Sequence, residues 1–184
     1  GALAFRSVDH EDGDGIHREI PQGPDGTVPD TPYETTYFVG VGAAFRRSAL
    51  DDVAGFPQEF FYYKEELDLS FQLLNAGYRI RYVPDVVVRH RGSDGSRPSE
   101  AEEWRLTLRN RVRVAVRHLP WRYVVVSTLI WTAYVLSRTR FSVGTVLSVY
   151  RTVLGERERL LSQRSVLDAE TLERVRALNG RLWY

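Results

Sequence analysis

Residues 60–90 read FFYYKEELDLSFQLLNAGYRIRYVPDVVVRH, and their order decides the fold class. From Glu65 onward apolar residues return at helical spacing, with Leu67, Phe71 and Leu74 on one side. Gly77 is placed to end that helix after Ala76, because a residue without a Cβ accepts the left-handed conformation that closes a helix. YRIRYVP and DVVVRH then form β-rich runs on either side of Pro84. A helix followed by strands, with another β-rich run upstream, predicts a mixed α/β region.

Upstream, TTYFVGVGAAFRRSAL (35–50) begins β-rich and passes through Gly40 and Gly42, where a backbone can come close to a ligand or another strand. The third glycine of a dinucleotide fingerprint is absent. Ser48 is expected to cap a short helix, ALDDVAG, closed by Gly55. Residues 1–36 are expected to be irregular and acidic, since DHEDGDG and PQGPDGTVPDTP are rich in turn formers. An EF-hand is excluded there: with Gly15 as the loop glycine, His10 falls first and Pro21 last. Downstream the pattern is helical, SEAEEWRLTLRNRVRVAVRHL, then a break at Pro120 and further helices to the end. The α/β part holds few strands for a complete open sheet, so it reads as part of a domain. The expected division is an α/β part over 1–100 and a helical tail over 101–184.

An apolar fraction of 43% and a charged fraction of 27% in 184 residues are those of a folded protein. Cysteine is absent, which excludes disulfides and thiolate metal sites. Methionine is absent even from position 1, so the chain is expected to be a processed product or a piece of a longer one. Residues 1–70 carry five Lys and Arg against 14 Asp and Glu, whereas residues 71–184 carry 20 against 10. A basic rear either meets anions such as phosphates and lipid headgroups or is a solvated helix face. The start has no signal-peptide pattern. YVVVSTLIWTAYVLS (123–137) is the longest uncharged stretch. As a helix it reaches about 22 Å against a hydrocarbon core of roughly 30 Å, so it is a poor spanning segment. It reads as a buried helix or as one lying in a membrane interface.

On a helical wheel Glu65, Asp68, Gln72 and Asn75 fall in one arc of about 80°, the expected solvent stripe. Glu66 lies about 100° from Glu65, near Leu69 and Leu73. A carboxylate off the polar stripe points toward protein or a cleft, where burial raises its pKa and the helix N-terminus lowers it, as a base near neutral pH requires. The alternative is that all three acids only complement the helix dipole. His90 at a strand end is either a hydrogen-bonded structural histidine or a metal or anion contact. His10 and His17 are further candidates by type alone, and His118 falls on the tail.

The stretch GVGAAFRRSALDDVAGFPQEFFYYKEELDLSFQLLNAGYRIRYVPDVVVRHRGS resembles the C-terminal half of a family 2 glycosyltransferase of the inverting GT-A type. Members run from small residues through GGFDE-FF-Y-ED-DL--R---GY to a strand ending in His and Ser. LRNRVRVAVRHLP (108–120) resembles the Arg-Asn helix of rhamnosyltransferase-like members.

The resemblance implies a C-terminal part of a Rossmann-like GT-A domain followed by the helical tail. It implies Glu66 as catalytic base, where members usually carry Asp, with Glu65 the weaker candidate and Asp68 a structural acid. Gly42, Ala43 and Ala44 would line the acceptor pocket, with Phe61 and Tyr62 at its edge. His90 would meet the divalent metal or the donor diphosphate, and Arg109 the diphosphate. The cofactor implied is Mg²⁺ or Mn²⁺, held largely by the family's N-terminal half. The partners implied are a nucleotide-sugar donor and a glycan or lipid-linked acceptor, with an anionic membrane surface as a further candidate and no nucleic acid. The setting implied is cytoplasmic, at the inner face of the cell membrane. The family's donor half carries Asp-x-Asp at a strand end; Asp12-Gly13-Asp14 has the letters but sits in a Gly-rich loop. The chain is therefore expected to be a fragment or half of a split enzyme, inactive alone. The alternative is a non-catalytic module that binds membrane or a partner.

Overall fold

The computed structural model describes residues 1–10, 21, 30–91, 98–140, 142–180 and 182. Four strands, β1 (Ala2–Asp9), β2 (Tyr33–Thr35), β3 (Ala43–Phe45) and β4 (Ile80–His90), form one sheet in the order β2-β4-β1-β3. The long central pair, β1 and β4, runs parallel from Ala2 opposite Ile80 to Asp9 opposite His90. The short β2 and β3 flank it antiparallel. Side chains alternate as a pleated strand requires, with Ile80 and Tyr82 buried around exposed Arg81.

The strands depart from the sequence expectation in two places. Residues 2–9 are not irregular but form a core strand, ALAFRSVD. Its inward positions include Ala2, Ala4 and Ser7, small residues with little β signal, and it runs directly into the acidic stretch. The two runs around Pro84 are one strand. Proline cannot donate to the ladder, and the register jumps beside it, with Phe5 opposite Val83 but Arg6 opposite Val87. A bulge absorbs the proline.

Between β3 and β4 lie α1 (Arg47–Asp51), a 3-10 turn (Gln58–Phe60) and α2 (Glu65–Asn75). The N-cap of α1 is Arg46, with no side-chain cap, so Ser48 sits inside the first turn and not at the expected cap. Gly77 does close α2, at φ +82°, with its amide and that of Tyr78 donating to the carbonyls of Leu74 and Leu73. The tail comprises α3 (Glu100–His118), α4 (Trp121–Arg138), α5 (Val143–Gly155), α6 (Arg157–Ser162) and α7 (Ala169–Ala177). Ser99 caps α3 by accepting from the Glu102 amide, and Pro120 separates α3 from α4.

One apolar cluster joins Ala4, Ile80 and Tyr82 of the sheet, Leu69, Phe71 and Leu73 of α2, and Val114 and Ala115 of α3. Helix α2 is thus covered by the tail as well as the sheet. That corrects the wheel reading of Asp68: it is 0% exposed and points at α3. The wheel presumed a helix packed on one side only. The opposite face of α3 joins α4, α5 and α6 through Leu108, Val112, Val135, Val149 and Leu160. No described helix is long and apolar enough to cross a membrane.

Candidate active site

The parallel strands β1 and β4 end together, and a glycine-bearing loop crosses beside them. Gly42 accepts from the Phe5 amide at 2.9 Å. A Cβ on Gly42 would stand 3.0 Å from Cγ2 of Val88 and 3.4 Å from Cβ of Phe5. At Gly40 the added atom would lie 3.0 Å from Oε1 of Glu66, the same oxygen that accepts from the Gly40 amide at 3.3 Å. Two glycines therefore let one loop touch both the entry of α2 and the end of β4. Open α/β sheets bind ligands at the carboxyl ends of their parallel strands. Ala43 and Ala44 continue into β3, opposite Ala4 and Leu3.

The segment leading into α2 has an unusual backbone. Phe61, Tyr63 and Lys64 take positive φ of 59°, 68° and 72°. The Tyr62 amide donates to the Phe60 carbonyl at 2.6 Å, which makes Phe61 the centre of a γ-turn. Backbone of this kind costs on the order of 1–3 kcal/mol per non-glycine residue and needs surrounding structure to hold it. The turn leaves Phe61 83% exposed and stacks Tyr62 edge-on against Tyr63 at 4.5 Å.

The holding group is Asn110, fully buried on α3. Its Nδ2 lies 3.0, 2.8 and 2.8 Å from the carbonyl oxygens of Phe60, Tyr62 and Tyr63. An amide nitrogen has two protons, so one is shared between two carbonyls. Oδ1 accepts from Nη1 of Arg113 at 2.9 Å, which fixes the orientation of the amide. Arg113 also donates to the Glu59 carbonyl and forms a two-pronged pair with Glu156 at 2.9 and 2.6 Å. Sequence reading assigned Asn110 no role. Asn110 between Arg109 and Arg111, within the stretch that resembles the family's Arg-Asn helix, was the available signal.

The three acids differ in surroundings. Glu65 has Oε2 buried without a hydrogen-bond partner. Burial first, and the charge of Glu66 second, push its carboxyl above the usual range. Glu66 has its Oε1 on the Gly40 amide. Asp68 accepts from Gln72 at 2.7 Å and lies 2.8 Å from His118 Nε2 and 3.3 Å from Arg117. His118 Nδ1 faces the Ser165 carbonyl at 3.2 Å, so both ring nitrogens meet oxygen. A carbonyl only accepts, so Nδ1 carries a proton.

Toward the strand ends, His90 is half-buried opposite Asp9, and its carbonyl accepts from the His10 amide at 3.0 Å. Among the described residues no three His, Asp or Glu side chains gather as a metal site. These side chains do not by themselves fit the divalent ion. His17 and Asp12–Asp14 lie outside the described residues. On α3, Arg105 pairs with Glu102 and Arg113 with Glu156, while no ion pair among the described residues involves Arg109. Burial, then the charges of Arg113 and Arg105, lower the pKa of Arg109. The structure thus joins Gly40 to Glu66 by contact, seats Gly42 against Phe5 and Val88, and ties the Phe61–Tyr62 turn to α3 beside Arg109. His90 sits two residues beyond Val88.

Comparison with known proteins places these features. The family model described as glycosyl transferase family group 2 matches residues 22–155. The O-antigen chain rhamnosyltransferase RfbN of Salmonella typhimurium strain LT2 is 33% identical over 57 residues, 31% of this chain and 18% of that protein. The mixed sheet with its helices is consistent with a GT-A-like domain and helical tail. With the family pattern covering most of its length, the chain belongs to glycosyl transferase family group 2.

Proposed function

We propose that this chain provides the acceptor side and the catalytic base of an inverting sugar transfer from a nucleotide-sugar donor to a glycan or lipid-linked acceptor. The observation that carries this reading is the Glu66 carboxylate, held by the Gly40 amide between the aromatic turn and the strand ends. As the acceptor oxygen bonds to the anomeric carbon, its proton passes to Glu66. The anomeric C–O bond to the diphosphate breaks with its electron pair on the leaving oxygen. One base is enough for this displacement. Glu65, whose burial raises its carboxyl above the usual range, neighbours the base without duplicating it. Arg109 would meet charge growing on the diphosphate, His90 would face the same group, and Phe61 and Tyr62 would stack against a sugar ring beside Gly42, Ala43 and Ala44.

A rhamnosyl donor and a cell-surface polysaccharide acceptor are proposed from the rhamnosyltransferase relative. Because the match spans 18% of that relative, donor binding is proposed to draw on chain beyond this region, and residues 1–184 alone are expected to show no transfer. The test is transfer by the full-length protein from nucleotide-rhamnose, with the product linkage read by NMR. An inverted anomeric centre supports the reading, and a retained one contradicts it.

Membrane association belongs to the same proposal, at the inner face of the cell membrane. Between Arg122 and Arg138 the exposed stripe of α4 is apolar, with Leu129 64% and Val125 57% exposed, and α5 adds Val143 and Leu147. Residues 119–155 contain four arginines and no Asp or Glu. Such a face suits anionic lipid headgroups over acyl chains. Co-flotation with vesicles containing anionic lipid, reduced by Leu129→Asp, is the expected outcome; absence of flotation removes this part.

A further inference from the structure

We propose that Asn110 is the positioning residue of this active site, holding the turn that delivers Glu65 and Glu66 and being held in turn by Arg113 and Glu156. This inference rests on the reading of Glu66 as base. Within the turn the Tyr62 amide donates to the Phe60 carbonyl, and the Phe60, Tyr62 and Tyr63 carbonyls all face α3. All three converge on one side-chain nitrogen. Tyr63 is three residues from Glu66, so a shift of the turn becomes a shift of the carboxylate against Gly40.

The chemistry at position 110 is narrowly set. Aspartate would place oxygen against three carbonyl oxygens. Serine has one proton for three acceptors and a shorter reach. Glutamine would push the amide a methylene further into a site that is 0% exposed. The other end of asparagine is equally committed, since its oxygen receives Arg113, and Arg113 is clamped by Glu156 at the α5–α6 junction. A residue 90 positions downstream of Glu66 therefore bears on the geometry of the base. In this account the helical tail is part of the catalytic apparatus.

The test uses Asn110→Ala and Glu156→Gln in the full-length protein, with two readouts. Hydrogen exchange of the amides of residues 60–66 reports the turn directly. It is expected to quicken by about tenfold or more in Asn110→Ala and by less in Glu156→Gln, with exchange in β1 and β4 unchanged. In transfer assays kcat is expected to fall roughly 10–100-fold, as for a misplacement approaching 1 Å, with the KM for the nucleotide sugar nearly unchanged. Unaltered exchange over 60–66 in both variants overturns the inference, as does a loss that appears in donor KM and leaves kcat intact. If Asn110→Ala does not fold, Glu156→Gln decides by the same readouts. An active protein indifferent to Glu66→Gln sinks the base assignment instead, and leaves the exchange result to judge the clamp.

Discussion

Gly40 and Gly42 lie two residues apart, yet alanine at each should act on different properties. At Gly40 the new Cβ meets Oε1 of Glu66 at 3.0 Å, and that atom is the far end of a flexible side chain. An ordinary contact begins near 3.4 Å, so the carboxylate retreats by about 0.4 Å. If 1 Å of misplacement costs about 100-fold, 0.4 Å costs about sixfold in kcat. Gly40 is not among the glycines of positive φ, so alanine adds no backbone strain and removes unfolded-state freedom, worth about 0.4–1 kcal/mol. Stability should hold or rise. At Gly42 the Cβ meets Val88 and Phe5, both fixed in the central strands. Overpacking there should destabilise by about 1–3 kcal/mol. The assay pairs thermal unfolding with sugar-transfer turnover in the full-length protein. Gly40→Ala with wild-type turnover, or with a fall in Tm as large as that of Gly42→Ala, would refute the placement of Glu66 against this loop.

Asp68→Ala leaves His118 buried without the carboxylate it faces and strips buried Arg117 of one of its two neighbouring acids, the other being Glu59. A loss of about 3–5 kcal/mol is expected, read as a fall in Tm of roughly 6–20 °C; a fall under 2 °C would contradict the burial argument. Glu65 makes stability depend on pH with a definite sign. Its folded pKa lies above the unfolded one, so the native state binds more protons between the two values and stability declines as pH rises through that window. Glu65→Gln should flatten the decline, and an unchanged slope in denaturant titrations would oppose the assignment.

Local chemistry made much of this fold legible. Gly77 marks the end of α2, Pro120 parts α3 from α4, and the β-rich runs from Tyr78 to His90 give β4. What escaped depended on partners distant in sequence. β1 is recognisable only once β4 and β3 lie on either side of it, because alanines at buried positions carry no pattern of their own. Asp68 looked solvent-facing because its partners, Arg117 and His118, come some 50 residues later. In the site, the contrast between Glu65 and Glu66 was visible as angular separation, but the raised carboxyl of Glu65 was not, since it depends on its buried, unpartnered Oε2. Asn110 was least legible of all: its role exists only where three carbonyls turn inward.

The most direct test of the account is the single-turnover rate of Glu66→Gln in the full-length protein, with nucleotide-sugar affinity measured on the same sample. Glutamine keeps the size of the side chain and an oxygen for the Gly40 amide but cannot take the acceptor proton. With Glu66 as the base, the rate falls by about 10²–10⁴-fold, and donor affinity stays within about twofold of wild type. A rate within tenfold of wild type, or a loss of that size in Glu65→Gln and not in Glu66→Gln, would contradict it.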